Sequence, residues 1–135
     1  MTPTIEQVVV LPASPARLFG MYLDAKQHAA FTGFPVSLKP KVGGAFRAFN
    51  GMLEGRFLEI VPRKLIVQAW RSSMFGKSDL DSILVLRFSA AERGSGRIEL
   101  AHVGVPEHDH VGVSEGWAKY YWGPWRAYLT RKRKK

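Results

Sequence analysis

The parts of this 135-residue chain able to do chemistry are four histidines, a C-terminal cluster of tryptophans and tyrosines, and eleven carboxylates. In Arg97-Ile-Glu-Leu-Ala-His-Val-Gly104, strand alternation puts Ile98, Leu100 and His102 on one face and Arg97 and Glu99 on the other, so His102 points inward. An inward imidazole at a cavity can hydrogen-bond a ligand or serve as an acid or base near neutral pH. The plainer alternative is a core histidine satisfied by a backbone carbonyl or a buried tyrosine. His108-Asp109-His110 sets two imidazoles two residues apart in what reads as a polar loop. That spacing can chelate a metal, but no third ligand accompanies it, and no metal is assigned. His28, on a short helix between Gln27 and Ala29, is expected at the surface.

Trp117, Tyr121, Trp125 and Tyr128 recur at spacings of four, four and three, which puts them on one helical face. Aromatic side chains dominate core packing, and the polar tips of Tyr and Trp need partners when buried, which also suits a ligand cavity. Phe46, Phe49 and Trp70 face the same choice, and alternation sends Phe46 and Phe49 to opposite faces. Other chemistries lack their parts. Gly43, Gly44 and Gly51 are flanked by strands and followed by no Lys-Ser/Thr, so they form no phosphate loop. Glu54 and Glu59 lie an odd distance apart on one strand and should face opposite sides, unsuited to a hydrolytic pair. There is no Gly-x-Ser-x-Gly elbow, and the absence of cysteine excludes thiolate catalysis, disulfides and Cys-type metal sites. No cofactor is called for.

The elements that must position these groups follow from periodicity and punctuation. Ile5 to Leu11 reads as a strand, and Ser14-Pro15 as the N-cap and first residue of a helix carrying Leu18, Phe19, Tyr22 and Leu23 on one face. Asp24 with Gln27 forms a capping box for a second short helix that Gly33 stops. Strands are expected near 36–40, 44–50, 53–61, 64–72, 81–89 and 96–104, with a tight hairpin at Asn50-Gly51 and a corner at Pro62. Their short connections favour an antiparallel meander. A final helix over about 111–129 contains Pro124, which should break its ladder and kink it.

The net charge of +9 suggests nucleic acid until it is located. Subtracting the five charges of Arg131–Lys135 from +9 leaves +4 for the other 130 residues, so the basic residues form a terminal tail and no stripe. Residues 1–130 read as one domain and 131–135 as a frayed, solvated tail, with a phosphate or anionic-lipid contact as the alternative and no pattern for sequence-specific nucleic-acid recognition. No apolar run approaches the ~20 residues of a membrane span, and Met1–Glu6 lacks the features of an export signal, so a cytoplasmic location is expected.

The order strand, two short helices, six-strand meander and long helix resembles the helix-grip fold of the START-like (SRPBCC) superfamily. The residues Ala13-Ser-Pro15, Gly43-Gly44-Ala-Phe46, Gly51, Gly55, Leu58-Glu-Ile-Val-Pro62, Trp70-Arg71, Glu115-Gly-Trp117, Tyr120-Tyr121 and Pro124 resemble its branch of homologues of the activator of heat-shock-protein ATPase. Where that branch often carries a tryptophan in the second helix, this chain has Phe31. The resemblance implies an α+β domain, with a curved antiparallel sheet of about seven strands wrapped around a long C-terminal helix. It also implies a small apolar or aromatic ligand between sheet and helix; motif position, strand alternation and helical spacing make Phe46, Trp70, His102, Trp117, Tyr121 and Trp125 its expected lining. Two alternatives remain, an interaction module with a chaperone as partner and a cyclase-like enzyme using His102 with a buried tyrosine.

Overall fold

The computed structural model describes residues 2–133. Both short helices begin where the chain supplies a cap. Ser14 accepts from the Arg17 N–H and Pro15 follows, opening α1 (Pro15–Tyr22). Asp24 accepts from the Gln27 N–H to open α2 (Ala25–Thr32), and Gly33, at φ 83°, closes it in the left-handed conformation. Seven strands, β1 (Ile5–Leu11), β2 (Val36–Leu38), β3 (Ala45–Ala48), β4 (Leu53–Val61), β5 (Leu65–Ser72), β6 (Ser82–Ala90) and β7 (Gly96–Val103), form one antiparallel sheet in the order β1-β7-β6-β5-β4-β3-β2. Only β1 leaves its sequence neighbour, pairing with β7 so that the first and last strands lie side by side at one edge. The inner face carries Phe46, Phe57, Ile66, Leu84, Leu86, Ile98 and Leu100, all buried. Against it lies the C-terminal helix, made of α3 (Glu107–Gly116), a wider π turn (Trp117–Trp122) and α4 (Gly123–Arg133).

Local expectations fail in four places. The hairpin between β3 and β4 is a four-residue loop, 49–52, in which Phe49, Asn50 and Gly51 take φ of 53°, 59° and 84°. Gly51 N–H bonds the Ala48 carbonyl and Met52 N–H the Phe49 carbonyl, each at 3.1 Å. Phe49 leaves the ladder to bury its ring against Phe34 and Tyr121, so it does not oppose Phe46 across the sheet; both are buried. A bulge between Phe57 and Glu59 shifts the register of β4, pairing Arg56 with Ala69 but Glu59 with Val67. The extra residue restores Glu59 to the face of Glu54, and both are exposed.

The C-terminal helix starts at Glu107, four residues before the expected 111, so His108-Asp109-His110 is helical rather than loop. Pro124, lacking an N–H, is accommodated by the π turn before it, where the Gly123 N–H reaches back five residues to the Ala118 carbonyl. That turn changes the phase of the helix: Tyr121 and Trp122 are both buried, together with Trp117 and Trp125. The α4 helix continues through Arg131–Arg133, where a frayed tail was expected, and Lys134 and Lys135 lie outside the described residues. No helix among the described residues is long and apolar enough to cross a membrane.

Gly55 stands in register between Phe46 and Trp70, where a Cβ would come within 1.8 Å of the Ala69 carbonyl oxygen. Gly20 of α1 has no neighbour within 4 Å of that position. Gly55→Ala should therefore cost roughly 1–3 kcal/mol or more, whereas Gly20→Ala should gain up to about 1 kcal/mol in urea melts. Equal effects of the two substitutions would contradict this backbone path.

Candidate functional site

Three aromatic side chains of the C-terminal helix bond three different elements. Trp117 Nε1 donates to His102 Nδ1 on β7 at 3.2 Å, the Tyr121 hydroxyl meets His28 Nε2 on α2 at 2.8 Å, and Trp122 Nε1 donates to Gln7 Oε1 on β1 at 2.8 Å. Those partners fix both imidazole tautomers. An indole N–H can only donate, so His102 Nδ1 accepts and its proton sits on Nε2, which donates to Ser82 Oγ at 2.8 Å. Ser82 in turn donates to the Trp70 carbonyl at 2.6 Å. His28 is the reverse: Nδ1 donates to the Tyr22 carbonyl at 2.8 Å, leaving Nε2 to accept from Tyr121. Burial lowers the pKa of His28 to about 4; burial, with the charge of His110 adding, lowers that of His102 to about 3. Burial also raises the hydroxyls of Tyr22 and Tyr121.

His28 is thus fully buried, contrary to its expected surface position. Phe31 and Thr32, three and four residues on, share its helical face, and that spacing was the available signal. His102 points inward as alternation required, but both its ring nitrogens are occupied. The tyrosine hydroxyls that acid–base work would pair with it are engaged elsewhere, Tyr121 with His28 and Tyr22 with Gln68 Oε1 at 2.5 Å. His108 and His110 diverge, each bonding a different carbonyl at 2.9 Å, Met74 for the first and Pro3 for the second. No cluster of three or more metal-ligating side chains occurs among the described residues.

A pocket of about 350 Å³ opens at one end of the grip, between α3 with its π turn, the β3–β4 loop and the segment following β5. Trp70, Trp117 and Tyr121 form its floor among buried residues, and Phe34, Met52, Met74 and Tyr120 are exposed around it. Gly112 and Gly116, one turn apart, form its helical wall, and side chains placed there would meet no backbone. Of the six residues expected to line a cavity, Trp70, Trp117 and Tyr121 come together here. His102 lies behind Trp70 and Trp117, with ring centroids at 4.6 and 5.9 Å. Phe46 packs against Tyr22, His28 and Phe57, and Trp125 stacks on Phe31 at 4.1 Å. Those two fill the middle of the grip. The rim residues had no periodic signal, because they sit on loops whose convergence only the tertiary fold produces.

A seven-stranded antiparallel sheet closed over a long helix, with two short helices between β1 and β2, defines a helix-grip α+β domain of the START-like kind. Residues 12–129 match the family described as Activator of Hsp90 ATPase homolog 1-like protein, and the chain belongs to that family. A human relative, activator of 90 kDa heat shock protein ATPase homolog 1, is 27% identical over 108 residues, covering 80% of this chain and 31% of its own length. The chain therefore spans about a third of that relative. Among solved structures, an HSP90 activator from Plasmodium falciparum superposes with a TM-score of 0.86 at 22% identity, covering 96% of this chain and 97% of that one. An Aha1 dimer from Colwellia psychrerythraea gives 0.75 at 15% identity, covering 90% and 92%.

Because His28 and His102 are held neutral, the unfolded chain, with histidine pKa near 6.5, binds more protons below that pH. Their contribution to stability is full above pH ~6.5 and falls as pH drops toward 4 and then 3. Stability should decline by roughly a few kcal/mol between pH 7 and 4, and His28→Gln should flatten that decline. Nitrogen NMR should find opposite neutral tautomers at pH 6. An imidazolium at either site above pH 5.5 would contradict the assignment.

Proposed function

We propose that this domain binds a small apolar or aromatic molecule in the pocket between the π turn and the β3–β4 loop, without chemistry on it. The observation supporting this most is the helical wall. Gly112 and Gly116 each cost a helix interior about 1 kcal/mol relative to alanine, yet both line the cavity and neither is forced by positive φ or by a backbone collision. Side chains there would fill the space that the aromatic floor leaves open.

A second reading is favoured by the apolar rim. Phe34, Met52, Met74 and Tyr120 are 44%, 56%, 65% and 43% exposed around one opening, more apolar surface in one place than isolated exposed residues need. The human relative is named for activating a chaperone ATPase, and such a rim suits docking on a partner of that kind. The soluble, cytoplasmic setting expected from the sequence accords with both readings.

Gly116→Leu separates them. If the pocket binds a ligand, this variant should fold with stability equal to or above the parent and lose at least about tenfold in affinity for a neutral apolar dye such as Nile red. Met52→Glu with Met74→Glu should abolish any stimulation of a chaperone ATPase, which Gly116→Leu, altered only at the helical wall, should leave within about threefold. Unchanged dye affinity in Gly116→Leu would overturn the pocket reading.

A further inference from the structure

Resting on the pocket reading above, we propose that the ligand is an amphiphilic cation, an aromatic or otherwise apolar body bearing an amine, whose positive end is received by Asp109. The pocket's sixteen lining residues include six aromatic side chains, Phe34, Phe49, Trp70, Trp117, Tyr120 and Tyr121. They include one charged side chain, Asp109, and no lysine or arginine, in a chain that has twenty of these. An aromatic wall with a carboxylate at one end is how an organic cation is recognised, because ring faces and carboxylate both attract positive charge.

One oxygen of the carboxylate is anchored by Ser72, and the group joins neither described salt bridge. Asp109 lies in the first turn of α3, half-buried, and its Oδ2 accepts from the Ser72 hydroxyl at 2.7 Å. Ser72 Oγ in turn accepts from the Met74 N–H at 3.0 Å, which fixes the carboxylate's orientation. The other oxygen, Oδ1, lies 3.4 Å from where a Cβ on Gly112 would stand, on the glycine wall of the cavity. Neither described salt bridge involves Asp109: Arg71 pairs with Asp81, and the imidazole of His108 approaches Asp79 at 3.9 Å. The cation beside the rim, Lys119, lies over the outer ring of Tyr120 at 5.2 Å and does not line the pocket. A ligand ammonium at Oδ1 would restore charge balance in a partly dehydrated site, where ionic contacts are stronger than in water. A ligand carboxylate there would meet like charge.

Three probes with one apolar body and different heads test this: naphthylethylamine, naphthylethanol and naphthylacetate, titrated by tryptophan fluorescence. The amine should bind at least about tenfold more tightly than the acid, with the alcohol between them. Asp109→Asn keeps an acceptor for Ser72; in it the amine should weaken by about tenfold, with the alcohol changed by less than about twofold. Gly116→Leu should abolish all three, placing them in this pocket. The ranking of heads in the unaltered protein needs no variant. Alcohol binding without preference for the amine, or a preference that survives Asp109→Asn, would overturn the cationic assignment alone. Failure of all three probes to bind would overturn the pocket reading and this inference with it.

Discussion

The structure depends on how the C-terminal helix is registered against the sheet. Apolar burial holds the helix down, but it is nondirectional and would tolerate a rotated or shifted helix. The bonds of Trp117 to β7, Tyr121 to α2 and Trp122 to β1 do not. Each buries a donor whose partner lies on a different element, so a slip would strand several polar groups away from water, at about 1–3 kcal/mol apiece. The π turn makes this set possible: in a regular helix, successive residues diverge by about 100°, and Tyr121 and Trp122 could not both face inward. Pro124, which requires a break in the ladder, sits at the end of that turn.

The pocket follows from the same register. With the helix fixed by its aromatic residues, the preceding turns carry Gly112 and Gly116 past the end of the filled core, where they face the β3–β4 loop across open space. That loop holds three consecutive positive φ angles, which bring Phe49 inward and Met52 to the rim. The floor is rigid because Trp70 and Trp117 are tied together through Ser82 and His102. His102 therefore acts as a brace under the pocket, its neutral form sustained by burial and by partners at both nitrogens.

Much of this was legible in the sequence, since punctuation and periodicity are local. Ser14-Pro15, Asp24 with Gln27, and Gly33 marked both short helices, and β1 runs over Ile5–Leu11 as its composition required. Alternation oriented His102. What the sequence hid was produced by long-range packing. The bulge after Phe57 reversed the phase of Glu59, and the loop at Phe49 replaced a tighter turn because a ring was drawn into the core. Spacing to Phe31 and Thr32 marked the inward face of His28, but its partner Tyr121 lies 93 residues away. Half the expected lining fell outside the pocket for a related reason. Phe46 and Trp125 pack against aromatic neighbours, Tyr22 for the first and Phe31 for the second, which fill the space beside them.

The proposed binding function requires the space beside Gly112 and Gly116 to admit a small molecule. Native mass spectrometry of the protein from its own cells tests this most directly. The parent chain should carry a noncovalent adduct of small organic mass, displaced by Nile red and missing from Gly116→Leu prepared in parallel. A parent chain carrying no adduct, or an adduct retained equally by the filled variant, would contradict it.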